Sequence, residues 1–250
     1  MSNPNNPLGT VYSPATMLNA VSWARKRQLH TIVDEIYALS VHQKEGHGFE
    51  SILKTLNNQL GPDVHFVWSL SKDFGASGLR FGVVYSQNQT FLDALANLNV
   101  FSGVSNPMQM VVSELLTDDD FVDSYLDESR NRLVRSYWIC IQKLEEMVLP
   151  FVPAVAGQFV YVDFSSLLPE KTMEWERKLS QLFIDHARLV LTPGESQRER
   201  MPGMFRLCYA WVSPEVLEIG MERLSRLVAK IRRMDWSDLN EKNLSSVIIV

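Results

Sequence analysis

Apolar positions along this chain switch between helical and strand spacing in a regular order. Ser13-Pro14 supplies an N-cap hydroxyl and a proline suited to the first helical position. Met17, Leu18, Val21, Trp23 and Ala24 then recur at roughly helical spacing, and Arg25, Lys26 and Arg27 close the segment with charges that the helix dipole favours. Residues 30–36 read as a buried strand, 49–60 as a helix, 64–70 as a strand and 79–85 as another strand. Helix alternating with strand predicts an α/β arrangement with parallel strands.

Beyond Ser86 the pattern turns mainly helical. Residues 90–98 and 108–116 carry helical spacing. Asp118-Asp119-Asp120 then starts a long helix to about Leu149, where Pro150 and Pro153 end it. Its apolar set, Phe121, Tyr125, Leu133, Tyr137, Ile141 and Leu144 among them, predicts core packing. Residues 159–164, 188–191 and 204–212 read as strands, residues 170–186 as a helix, and Ser213-Pro214 caps a last amphipathic helix reaching about Met234. The expected boundary lies within residues 105–120. It leaves an α/β piece over residues 1–115 and an α+β piece over residues 116–250.

Composition adds little to this picture. Of 250 residues, 46% are hydrophobic and 21% charged, which is ordinary for a globular protein with a core. The formal net charge of -5 gives no reason to expect nucleic acid or an anionic membrane surface as partner. No apolar run approaches the roughly 20 residues of a spanning helix. Cys140 and Cys208 lie far apart, outside any CxxC or Cys/His cluster, and read as two buried free thiols in a reducing compartment. His42 and His47 read as loop residues and not as metal ligands, so no metal is expected. Asn3-Pro4-Asn5-Asn6-Pro7 is a dense turn signal without the apolar stretch of a signal peptide.

Chemistry concentrates in Ser69-Leu70-Ser71-Lys72-Asp73-Phe74-Gly75-Ala76-Ser77-Gly78-Leu79-Arg80. A lysine amine can condense with an aldehyde, and serine hydroxyls with an arginine fork can hold a phosphate. Aldehyde and phosphate together describe pyridoxal phosphate (PLP). A Gly-rich turn with a solvated lysine would read the same in isolation. Three further segments accompany it in a set order: Asn6-Pro7-Leu8-Gly9-Thr10, Asp34-Glu35-Ile36-Tyr37-Ala38 at the end of a predicted strand, and Phe205-Arg206-Leu207-Cys208.

In this order the four segments resemble the class I/II aminotransferases, the fold-type I PLP enzymes, and within them the 1-aminocyclopropane-1-carboxylate (ACC) synthase-like group. Residues 101–105 and Leu191-Thr192-Pro193-Gly194 share the likeness, which runs from Asn3 to about Leu227. The resemblance implies the α/β PLP-dependent transferase fold: part of the PLP-binding large domain, with a mostly parallel sheet, over residues 1–115, and an α+β small domain over residues 116–250. It implies that Lys72 joins PLP in a Schiff base and moves the substrate Cα proton. Asp34 would face the pyridine nitrogen, and Tyr37 and Asn6 the phenolic oxygen. Ser69, Ser71 and Arg80 would hold the phosphate, and Arg206 the substrate carboxylate. Asp73 and Glu35 are read as structural.

The resemblance further implies an amino-acid substrate, a homodimer whose Ser102–Asn106 segment faces the neighbour's phosphate, and a cytoplasmic location. The reaction would be transamination, elimination or ACC formation. The family pattern also places, ahead of the Asn-Pro-Leu-Gly segment, a Gly-rich phosphate-binding helix start, an aromatic that stacks on the PLP ring, and residues that choose the substrate. The chain therefore reads as a truncated form. The alternative is a catalytically inactive remnant, or a binding module derived from the same family.

Overall fold

The computed structural model describes residues 1–42, 48–233 and 236. The chain divides into two compact units, residues 1–132 with 155–157, and residues 133–154 with 158–250. His47 and the expected helix end at Met234 lie outside the described residues.

In the first unit, α1 (Pro14–Arg25) starts at the Ser13 cap, whose hydroxyl accepts the Thr16 N–H. It buries Met17 and Val21 against Val33 of β1 (Thr31–Asp34) and Val64 of β2 (Val64–Ser69). Between β1 and β2 the expected 49–60 helix is a single turn, α2 (Ile52–Thr55). Asn57 and Asn58 stop it by entering left-handed backbone at φ 48° and 59°, a conformation asparagine tolerates better than most residues.

β2 pairs in parallel with β1 and runs directly into a four-residue helical turn, α3 (Leu70–Asp73). After a short 3₁₀ turn at Ser77–Leu79, β3 (Gly82–Ser86) returns beside β2 with Gly82 opposite Ser69. The sheet is therefore mixed, in the order β1-β2-β3. The parallel expectation holds for β1–β2 and fails for β3. The segment after Ser69 coils at the end of the strand it has just left, so the chain re-enters the sheet in the opposite direction.

α4 (Gln89–Asn99), α5 (Asn106–Thr117) and the long α6 (Asp119–Glu146) follow. Val112 and Leu126 pack with Leu70 and Phe74, holding the α3 turn from behind. Val83, Val84 and Tyr85 are 38–44% exposed although consecutive strand residues face opposite sides, so β3 is open on both faces.

In the second unit, β4 (Phe151–Val152), β5 (Phe159–Asp163), β6 (Thr192–Pro193) and β7 (Met204–Cys208) form an antiparallel sheet in the order β4-β5-β7-β6. The expected 188–191 strand is displaced to Thr192–Pro193. α7 (Met173–Leu182) runs into a wider turn that ends at Arg188, where φ is +57°. With α8 (Pro214–Ile231), capped by Ser213, the second unit buries Val160, Val162, Phe164, Phe205, Leu217, Met221 and Leu224 in one core. Cys140 is buried and its thiol pKa is pushed up to about 12 by burial, whereas Cys208 is exposed, contrary to expectation. Strand alternation explains this: Phe205 and Leu207 take the core face of β7, which turns Arg206 and Cys208 the other way. Among the described residues, no helix is long and apolar enough to cross a membrane.

His42 lies in the first unit, and its backbone N–H donates to the Val155 carbonyl at 3.0 Å. Burial depresses its imidazole pKa from 6.5 to about 4. A neutral imidazole in the fold and an ordinary one in the unfolded chain make acid destabilising. The contribution is complete above pH 6.5 and is lost as pH falls toward 4. The stability advantage of the wild type over His42→Gln is expected to narrow by up to about 3 kcal/mol between pH 7 and pH 4. Urea midpoints of both proteins at the two pH values check this, and parallel pH profiles would refute it.

Candidate active site

Six of the eight singled-out residues lie at or just beyond the carboxyl ends of β1 and β2, where open α/β sheets bind ligands. Asp34 is the last residue of β1, and Glu35 N–H donates to the Val67 carbonyl of β2 at 3.0 Å, which fixes the two strand ends side by side. The Asp34 carboxylate accepts the Ile36 N–H at 3.0 Å, turning the chain out of the strand. Tyr37 follows in this turn and is 5% exposed.

Ser69 ends β2, and its hydroxyl accepts the Ser71 N–H at 3.1 Å, capping the α3 turn that carries Ser71 and Lys72. Ser69, Ser71 and Lys72 are all partly exposed. Asn6 reaches the same end by another route. Residues 1–3 lie along the free edge of β1, where Asn3 N–H donates to the Asp34 carbonyl at 2.9 Å and Ser2 bridges Asp34 in parallel. The following turn, closed by Asn5 N–H on the Thr10 carbonyl at 2.8 Å, exposes Asn6.

Arg80 is engaged within its own turn. It is exposed with φ +54°, and its guanidinium donates to the Ser77 carbonyl at 2.8 Å. Arg206 belongs to the second unit. It sits on β7 between Tyr161 of β5 and Thr192 of β6. Its guanidinium lies 5.0 Å from the centre of the Phe159 ring and donates to the Thr192 hydroxyl at 3.3 Å. Thr192 belongs to the Leu-Thr-Pro-Gly segment singled out from the sequence.

Two buried carboxylates brace the strand ends. Glu35, 1% exposed, accepts the Ile52 N–H at 2.6 Å. Asp73, 3% exposed, accepts the Ser40 hydroxyl at 2.5 Å, the Trp68 indole N–H at 2.9 Å and the Leu39 N–H at 3.1 Å. Burial pushes both carboxyl pKa values up, and the donated hydrogen bonds pull against it. Position next to Asp34 or Lys72 was their only sequence signal. Ser40 and Trp68 gave none.

An ammonium, a carboxylate at a neighbouring strand end, two hydroxyls beside the lysine and a phenol make a donor set that fits PLP. It offers an amine for the aldehyde, an acid for the ring nitrogen and hydroxyls for the phosphate.

The family model for aminotransferase class I and II matches residues 1–224. The 1-aminocyclopropane-1-carboxylate synthase-like protein 1 of Bos taurus is 36% identical over 227 residues, covering 90% of this chain and 45% of that protein. The 1-aminocyclopropane-1-carboxylate synthase 2 of Arabidopsis thaliana is 34% identical over 236 residues, covering 92% and 47%. The chain thus spans about half the length of the curated relatives it matches. An aromatic aminotransferase from Pyrococcus horikoshii shares the fold, with a TM-score of 0.81 and 21% identity over 93% of this chain and 60% of that one. Aspartate aminotransferase from Thermus thermophilus with maleate superposes with a TM-score of 0.78 and 23% identity over 91% and 56%. On the extent of the family match and on this shared fold, the chain belongs to the aminotransferase class I and II family.

Proposed function

We propose that the chain is part of a PLP-dependent enzyme acting on an amino acid, as an aminotransferase or an ACC synthase-like lyase. One observation carries the reading. Lys72 stands one turn beyond the end of β2, beside the end of β1 where Asp34 lies. PLP, when bound, supplies an electron sink for the carbanion at the substrate's α-carbon.

The chain's residues do the rest. Lys72 would be the residue that binds the cofactor's aldehyde group, and its amine would move the proton at the substrate's Cα. Asp34 would face the ring nitrogen and favour its protonated form, and Tyr37 and Asn6 would donate to the phenolic oxygen. Ser69, Ser71 and Arg80 bind the phosphate, Arg80 after turning from its contact with Ser77. Arg206 orients the substrate carboxylate. Residues 1–115 form the C-terminal part of the large domain and residues 116–250 the small domain. The enzyme works as a cytoplasmic homodimer. The exposed run of Leu98, Val100 and Phe101, just before Ser102, supports an interface there.

A second reading, an inactive remnant or binding module, is favoured by the openness of β3 on both faces. In a complete sheet those faces would be covered. PLP titration of the purified chain, followed by visible absorbance with Lys72→Ala alongside, separates the two. A band present in the wild type and lost in the variant, with spectral change on adding amino acids, supports the enzyme. Equal bands, or none, support the remnant.

A further inference from the structure

Lys72 rides on a helical turn of only four residues. Such a turn has too few internal hydrogen bonds to hold itself, so something outside must fix it. Leu70 and Phe74 anchor its apolar side. On its polar side the buried Asp73 carboxylate gathers donors from two other segments. The Trp68 indole comes from β2. Leu39 N–H and the Ser40 hydroxyl come from the chain just past Tyr37. The second segment is itself pinned, because Ser40 N–H donates to the Tyr37 carbonyl at 3.1 Å and Arg130 donates to the Leu39 carbonyl at 3.2 Å. The lysine turn and the Asp34–Tyr37 turn are therefore joined through one carboxylate.

We propose that Asp73 is a positioning residue that sets where the Lys72 amine stands relative to Asp34 and Tyr37. This rests on the PLP-enzyme reading for its purpose but not for its test. Trp68 and Leu39 offer only N–H donors, and both bond to Oδ2. Asparagine can present its carbonyl to both and its amide to the Ser40 hydroxyl oxygen, giving up only the weaker contact with Ser40 N–H, so Asp73→Asn should keep most of the joint. Asp73→Ala removes it and leaves buried donors unpaired.

The first readout needs no PLP. Trace acetic anhydride labels lysines by their accessibility and basicity, and mass spectrometry compares Lys72 with Lys54, a mostly exposed lysine of the same unit. Asp73→Ala is expected to change the Lys72-to-Lys54 labelling ratio at least about threefold, and Asp73→Asn to leave it near wild type. The second readout is borohydride trapping with PLP. The wild type should be trapped at Lys72, whereas Asp73→Ala should lose about tenfold or more in apparent affinity and spread its label to other lysines. Trp68→Phe, which removes one donor, stands in for Asp73→Ala if that variant does not fold. An unchanged Lys72 ratio in folded Asp73→Ala or Trp68→Phe overturns the proposal. If wild type and Lys72→Ala trap PLP alike, the enzyme reading falls, and the labelling ratio still decides the role of Asp73.

Discussion

Gly203→Ala is expected to destabilise the second unit by about 3–5 kcal/mol. Gly203 sits at φ +99°, and a Cβ added there would lie 2.5 Å from Ser165 Cα and 2.7 Å from Ser165 N. Both atoms are backbone, so no side-chain rotation relieves the clash. The left-handed backbone adds a cost of about 1–2 kcal/mol for any L side chain. Neither end of the glycine can drift, because its N–H donates to Glu176 at 2.7 Å and its carbonyl receives the Phe164 N–H at 2.8 Å. Against a typical total of about 5–15 kcal/mol the loss is large. Urea unfolding of the variant beside Gly78→Ala checks it. Gly78 has nothing within 4 Å of an added Cβ, so that control should barely move. A Gly203→Ala shift below about 1 kcal/mol would mean that the Ser165 turn gives way easily.

Glu176 shows why such a position escapes sequence reading. It lies in the first turn of α7, where an acid is expected for the helix dipole and solvent. In the fold it is fully buried and accepts the N–H groups of Glu195 and Gly203, closing the loop that leads into β7. Asp73 and Glu35 behave alike in the first unit, each taking backbone N–H groups from segments distant in sequence. A carboxylate that binds remote backbone leaves no local pattern, because its partners are amides that every residue carries.

What depends on neighbours in the chain was readable. Ser13 and Ser213 cap their helices as expected. The runs of β-branched and aromatic residues at 31–34, 64–69 and 159–163 form strands. What depends on chain reversal was not. The direction of β3 follows from how residues 70–81 coil, and the two residues of β4, flanked by Pro150 and Pro153, are too short for any periodicity. For the candidate site, the ordered motifs put Asp34 at the end of one strand and Lys72 beyond another, and the parallel pairing of β1 with β2 brings those ends side by side. The same motifs could not show that Arg80 turns its guanidinium onto Ser77, since that choice belongs to one exposed turn.

Arg206→Lys is expected to lower kcat/KM for an amino-acid substrate about a hundredfold, or about 3 kcal/mol, while leaving PLP binding near wild type. The guanidinium lies over the Phe159 ring and donates to the Thr192 hydroxyl. Lysine keeps the charge but offers a single-point ammonium, so a carboxylate would lose the second of two parallel hydrogen bonds and with it the orientation of the Cα–H bond. The loss should fall on the substrate, because β7 keeps its register with β5 and β6 through backbone hydrogen bonds that the side chain does not make. Titrating wild type and variant with PLP and then with amino acid separates the two steps. A variant whose PLP-dependent absorbance is unchanged, but whose response to amino acid needs far higher concentrations, is the expected result. Loss of the PLP-dependent absorbance itself would assign Arg206 to the architecture of β7, and an unchanged amino-acid response would remove it from the substrate site.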